Sequence, residues 1–231
     1  MEDETGPGQT ALLDAALTHV PFDGWTNATF RAAIADVQTS EETAKSWFPN
    51  GPLDLAAAFH RRGDAEMLAR MAATDARVMK IREKVTAAVR YRLEAVPDKE
   101  LVRRASTLFA LPQNAALGAQ LIWGTADAIW TALGDTSEDI NWYSKRATLA
   151  AVYASTVLFW LGDDSPDQQA TWAFLDRRIE DVMQIEKMKA QVRDNPMLTR
   201  LMAGPNWLLS QIKAPSKLPR DDLPGHWNAR N

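Results

Sequence analysis

No cysteine occurs in the 231 residues, so disulfides, thiolate nucleophiles and cysteine-ligated zinc are excluded from the outset. Histidine is nearly as scarce. His19, His60 and His226 fall in different segments, and none stands three residues after a glutamate. The chain therefore lacks the Glu-x-x-His pairs from which a di-iron helical bundle is assembled. A phosphate-cradling glycine loop and a Gly-x-Ser-x-Gly nucleophile elbow are missing too. Catalysis by this chain alone is not expected, nor is a metal or cofactor. Long unbroken apolar runs are also wanting. The longest, about 115–133, carries Gln120, Thr125 and Asp127 and reads as a buried helix; a membrane span needs roughly 20 nearly uninterrupted apolar residues. The opening Met1, Glu2, Asp3, Glu4 has no basic segment followed by an apolar run, so the reading is a cytoplasmic protein without a secretory signal.

What is present suits one globular domain with a short appendage: 46% hydrophobic and 24% charged residues. The net charge of −4 conceals a polarity. In residues 1–54 nine acids face only Arg31 and Lys45, a net of −7, whereas between Lys187 and Arg220 seven bases face Asp194 alone, a net of +6.

Apolar spacing is helical almost throughout, with no alternating strand pattern, and predicts an all-α fold. Leu12, Leu13, Ala16 and Val20 mark a first helix that Pro21 and Gly24 should end. Thr26 can cap a second. Thr39 with Glu42 has capping-box spacing and should start a third, closing at Trp47, Phe48 and Pro49. A fourth begins near Pro52. One long helix should then run from about Asp64 to Val96 with Met67, Met71, Val78, Ile81, Val85 and Val89 inward. His60, beside Arg61 and Arg62, is placed at a helix end, where a positive charge is welcome. Asp98 caps the next helix, and helices over 113–133 and 138–161 follow. Ser165, Pro166 and Gln168 together predict a capped start for a helix to about Val192.

Three short helices ahead of a longer one, with Gly24-Trp25 after the first and Trp47-Phe48-Pro49-Asn50-Gly51 closing the third, resemble the helix-turn-helix head of TetR-family regulators. The resemblance implies a degenerate helix-turn-helix module over 10–62, a ligand and dimerisation bundle over 63–193, and a terminal segment over 194–231. A DNA reader needs a third helix that enters the groove with lysines and arginines around it. Here that helix opens with Glu41 and Glu42 in a module of net −7, so the scaffold is read as kept and nucleic-acid binding as lost. A TetR-type regulator sensing a small apolar ligand stays as the alternative.

A sharper resemblance lies further on. Asp127, Trp130, Gly134-Asp135-Thr136-Ser137, Asp139-Ile140-Asn141-Trp142-Tyr143-Ser144-Lys145-Arg146 and Phe174-Leu175-Asp176-Arg177-Arg178-Ile179 are similar to the ubiquinone-biosynthesis accessory family often called Coq-nine. That resemblance implies a TetR-like homodimer that binds isoprenoid lipids and presents quinone intermediates to the di-iron demethoxyubiquinone hydroxylase. It also implies a partner surface at Asp139, Trp142, Tyr143 and Arg146. Trp142 and Tyr143 point about 100° apart at a helix start, so one ring is expected at an edge; packing on a dimer mate or a neighbouring helix is the plainer explanation. Leu121, Ile122, Trp123, Trp130, Leu149, Tyr153 and Phe159 are candidate walls of the lipid site, although apolar stripes at this spacing are usually ordinary core. Asp127, the one charge in its helix, is expected to be buried and ion-paired, with Arg146 as a candidate partner.

In the last segment Met197, Leu198, Leu201, Met202, Leu208 and Ile212 form a stripe edged by Trp207, with Lys213 and other bases beside it. An apolar face with tryptophan and lysine suits a helix lying in a membrane interface; a docking helix covering the domain's own core is the other reading. With no transit peptide visible, the expectation is a bacterial protein peripherally associated with the inner membrane. A scaffold without any lipid pocket is the third possibility.

Overall fold

The structure is a computed structural model that describes residues 6–75 and 78–194. Among these residues every regular element is helical: α1 (Pro7–Asp23), α2 (Asn27–Asp36), α3 (Glu41–Trp47), α4 (Pro52–Ala73), α5 (Ile81–Glu94), α6 (Lys99–Phe109), α7 (Ala115–Ala132), α8 (Ile140–Leu161) and α9 (Gln169–Asp194). The all-α expectation holds, and each helix follows from local chemistry. Thr26 caps α2 by accepting from the Thr29 amide, and Asp98 caps α6 by accepting from that of Glu100.

Several helix ends differ from expectation. Pro21 does not stop α1; the chain turns at Gly24 (φ +69°), whose N–H reaches the Val20 carbonyl. The cap of α3 is Ser40, one residue after Thr39, and its hydroxyl accepts from the Thr43 amide. Between α2 and α3 the turn holds Gln38 in a left-handed conformation (φ 53°) that favours glycine.

The single helix expected over 64–96 is two. α4 stops at Ala73, where the Thr74 hydroxyl turns back to the Arg70 carbonyl and meets the Tyr91 phenol at 3.1 Å. α5 restarts once the Glu83 carboxylate accepts from the Lys80 amide. The break lets α5 pack against α4. Val78 is consequently 93% exposed and Ile81 is exposed as well, not inward, whereas Met67, Val85 and Val89 are buried.

At the other end, Ser165 and Gln168 do not form the expected reciprocal cap. Asp167 and Gln168 adopt left-handed φ in a 3-10 turn, and α9 starts at Gln169. Gln168 accepts instead from the Trp160 indole (2.7 Å), while Asp163 takes over the anchoring. Its carboxylate accepts from the amides of Ser165 and Thr171 and from the Thr171 hydroxyl.

Two apolar cores result. One joins α1–α3 to the first half of α4 and to Leu101 and Ala105 of α6. Trp25 in this core donates its indole N–H to the Leu101 carbonyl. The other joins Met67 on the far half of α4 to α5, α7, α8 and α9 around Ile129, Trp160 and Leu175. Val96 and Val102 touch both. α4 runs unbroken from one core to the other.

Candidate functional site: a cavity between the two cores

Where the cores meet, five helices enclose a cavity of about 360 Å³, within the range that ordinary ligand pockets occupy. Each wall is written in helical spacing. α4 gives Ala56, Phe59 and His60; α6 gives Val102, Ala105, Ser106 and Phe109; α8 gives Tyr153, Ala154, Val157 and Leu158. α7 contributes its small residues, Ala115, Gly118 and Ala119, before Leu121 and Ile122. Gly118 is required there, because a Cβ would stand 2.8 Å from Phe109 Cβ. A wider groove of about 780 Å³ mixes the charged side chains of Lys80, Arg82, Glu83, Arg90, Glu94 and Asp176 with Ala87 and Tyr91.

The polar end of the cavity is a buried network. Arg92, 3% exposed, donates from Nε to Asp64 Oδ1 (2.6 Å) and from Nη2 to the His60 carbonyl (2.9 Å). The Thr125 hydroxyl donates to Asp64 Oδ1 (2.9 Å) and also meets His60 Nε2 at 2.9 Å. A hydroxyl has one proton, so Nε2 is the donor in the second bond and His60 is the Nε2–H tautomer. Burial, with the charges of Arg92 and Arg61, pushes the His60 pKa down to about 3. His60 therefore lies inside α4 as a neutral imidazole, not at a helix end where positive charge is welcome. Burial pushes the Asp64 carboxyl up, against the opposing pull of Arg92 and Thr125, and pushes the Tyr153 phenol up as well. Gly63 makes this arrangement possible. A Cβ on it would stand 2.5 Å from Arg92 Nη1.

Of the seven expected wall residues, Leu121, Ile122 and Tyr153 line the cavity. Leu149 is in the second core. Phe159 projects towards α9 and stacks on Phe174 (4.5 Å between ring centres). Trp123 and Trp130 lie on another face of α7. Trp130 donates its indole N–H to the Lys145 carbonyl, with the Lys145 ammonium 5.3 Å from its ring centre. For these four, residue type and spacing allowed a wall, but the turn of each helix points the side chain away.

The expected partner residues cluster at the start of α8. Asp139 caps it, accepting from the Asn141 amide. Trp142 is half-buried between Trp123 (6.0 Å) and Tyr143 (4.8 Å). Arg146 is not a surface residue: at 2% exposure it lies under the patch, its guanidinium 4.0 Å from the Trp142 ring centre. It donates to Asp127 (2.5 Å), to Asp135 (2.9 Å) and to the Trp142 carbonyl (3.2 Å). Asp127 does pair with Arg146 but is itself half-exposed, not buried. Burial raises the Asp135 carboxyl, yet hydrogen bonds from Lys145, Arg146 and Ser137 outweigh it and hold that group well below the usual carboxylate range. This network fixes the loop between α7 and α8 and braces Trp142 from below.

Residues Met197, Leu198, Leu201, Met202, Trp207, Leu208, Ile212 and Lys213 lie outside the described residues. No described helix is long and apolar enough to cross a membrane. On α3, Lys45 is the one base, and Glu41 binds it at 2.7 Å.

Sequence reasoning missed Arg92, Val102, Ser106 and Phe109. A signal for Arg92 existed: it follows Val85 by seven residues and Val89 by three, placing a charge on an inward stripe. For α6 the apolar spacing was legible, but nothing in it distinguishes a face against a cavity from one against a core.

Residues 115–186 match the COQ9 family model. The ubiquinone biosynthesis protein COQ9, mitochondrial, of Drosophila melanogaster is 33% identical over 187 residues, which cover 78% of this chain and 56% of that protein. The same-named proteins of Rattus norvegicus and Homo sapiens are 33% and 31% identical, each aligned over 80% of this chain and over 62% and 60% of their own length. The chain thus spans about three-fifths of these relatives. Among solved structures, the TetR transcriptional regulator from Nitrosomonas europaea superposes with a TM-score of 0.62 at 18% identity, over 76% of this chain and 97% of that one. The TetR-like fold expected from the sequence is therefore the fold observed.

Proposed function

Because the chain belongs to the COQ9 family, we propose that it serves ubiquinone biosynthesis by holding an isoprenoid quinone intermediate in the cavity between its two cores. The observation that carries this reading is the cavity itself: about 360 Å³, walled by aliphatic and aromatic side chains, with polar groups gathered at one end. That is the usual composition of a site for a largely apolar small molecule. Mitochondrial relatives named for ubiquinone biosynthesis point to the same class of lipid.

In this reading the chain performs no chemistry. It presents the lipid to the di-iron demethoxyubiquinone hydroxylase through the Trp142–Tyr143 patch, works as a homodimer, and meets the inner-membrane surface through the basic, apolar 197–213 segment. Half-buried aromatics backed by an arginine are favoured at the centres of protein interfaces.

Native mass spectrometry of the purified protein with a short-chain ubiquinone tests the reading. One bound lipid per chain is expected, and Ala119→Trp, which fills the cavity from α7, should abolish it while the helical circular dichroism is kept. Equal lipid occupancy in the filled variant would place the lipid elsewhere. The regulator alternative is addressed by titrating duplex DNA at low salt, where no association is expected: α3 opens with two carboxylates and its one base is already paired.

A further inference from the structure

The cavity has a closed end and an open end, and they differ in chemistry. At the closed end Tyr153 and Arg92 are each 3% exposed, whereas Leu158 on the rim is 68% exposed. The polar groups share the closed end. The Tyr153 ring stands 6.4 Å from that of His60, and the Arg92 guanidinium lies 5.9 Å from the Tyr153 ring centre. Ser106 supplies one hydroxyl from α6; the rest of the wall is apolar.

The closed end is polar without being cationic. Arg92 carries the one full charge on the cavity wall, and two of its three nitrogens are engaged, Nε by Asp64 and Nη2 by the His60 carbonyl. Nη1 lies against Gly63, which borders a separate cleft with Arg62, Glu66 and Pro97 and not this cavity. Asp64, behind the wall, balances the guanidinium. His60 faces Asp64, Thr125, Arg92, Arg61 and Tyr153, and it is neutral at physiological pH.

Resting on the reading of this cavity as an isoprenoid quinone site, we propose that it takes its ligand ring-first. A neutral aromatic head lies against Tyr153 and His60, the apolar tail leaves past Leu158, and a ring bearing a negative charge is refused. Tail-first entry would press methyl groups onto the buried polar groups and leave the ring at an aliphatic rim. Ring-first entry matches aromatic edges and hydrogen-bonding groups to a head of the same character. A carboxylate carried to the closed end would lose its hydration and find no uncommitted cation. The Arg92–Asp64 pair thus acts as a specificity determinant: it supplies polarity and withholds charge.

The test compares two probes of the same shape and tail, a geranylated benzamide and the corresponding geranylated benzoate, by equilibrium dialysis against the full chain at pH 7.5. The benzamide should bind at least about tenfold more tightly. In Asp64→Asn, which leaves Arg92 unopposed, benzoate affinity should rise about tenfold while that of benzamide stays within about twofold. Equal binding of the two probes to the wild-type protein overturns the inference, because a ring in the water-filled mouth would not sense its own charge. Should Asp64→Asn fail to fold, the wild-type comparison still decides. Binding of neither probe would remove the cavity reading itself, an outcome distinct from equal binding.

Discussion

His60 makes stability depend on pH in a way that can be worked out from its surroundings. The side chain is only 16% exposed, and its pKa falls from 6.5 in the unfolded chain to about 3 in the fold. A depressed histidine is neutral in the folded protein but takes up a proton in the unfolded one, so its effect is absent above pH 6.5 and grows as pH drops. Each unit below 6.5 costs about 1.4 kcal/mol until the folded pKa is reached. Between pH 7 and pH 5 this single group should remove about 2 kcal/mol, a large part of the 5–15 kcal/mol by which domains are usually stable. Asp135 and Asp163 do not confuse the measurement. Both carboxyls are held low, so their stabilisation is complete above pH ~4 and is lost only in stronger acid. The assay is urea unfolding of the wild type and of His60→Gln at pH 7, 6 and 5. Glutamine keeps a donor for Thr125 and does not titrate. The wild type should lose about 2 kcal/mol relative to the variant across that range. Parallel curves, separated by a constant offset, would refute both the buried position of His60 and its neutral state in the fold.

Other consequences are as definite. Gly63→Ala should destabilise by about 1–3 kcal/mol, because the new methyl displaces the Arg92 guanidinium from a buried pair; an exposed helical glycine would instead gain about 1 kcal/mol from the same change, and urea unfolding separates the two signs. Asp135→Asn removes the charge shared by Lys145 and Arg146 and should cost about 2–4 kcal/mol, read as a lowered midpoint in thermal unfolding. Trp142→Ala with Tyr143→Ala should leave helical circular dichroism unchanged and weaken hydroxylase binding by at least about tenfold in surface plasmon resonance, since aromatic anchors at an interface centre are typically worth 2 kcal/mol or more. Undiminished binding would move the partner surface elsewhere.

How much of this was legible in advance depends on the range of the interactions concerned. Thr26 and Asp98 declared their helix starts because a cap is settled within three residues. Ser40 displaced Thr39 by one place for the same local reason: both could accept from an amide, and the preceding turn at Gln38 chose between them. The break at Thr74 was hidden, since 64–96 is helical in spacing on both sides, and the residue that ends α4 does so with a tyrosine seventeen positions away. Phe159 and Leu149 had the right character for a cavity wall, but only the roll of α8 about its axis decides which residues look inward.

The order of residues alone determined that the described residues are helical, that the first 54 residues carry a net charge of −7, that no histidine stands three residues after a glutamate, and that residues 127–179 carry a family signature. Each of these is local or compositional, a property of spacing, charge or residue type that survives without knowing what packs on what. Tertiary structure alone decided that a gap exists where the two cores meet, and that Arg92, Asp64, Thr125 and His60, drawn from three helices, close its polar end without leaving a free charge. It also decided that Arg146 braces the aromatic patch from beneath instead of sitting on it. Those are outcomes of helices meeting across tens of residues, where a small change in roll or tilt converts core into cavity, and no periodicity along the chain encodes them.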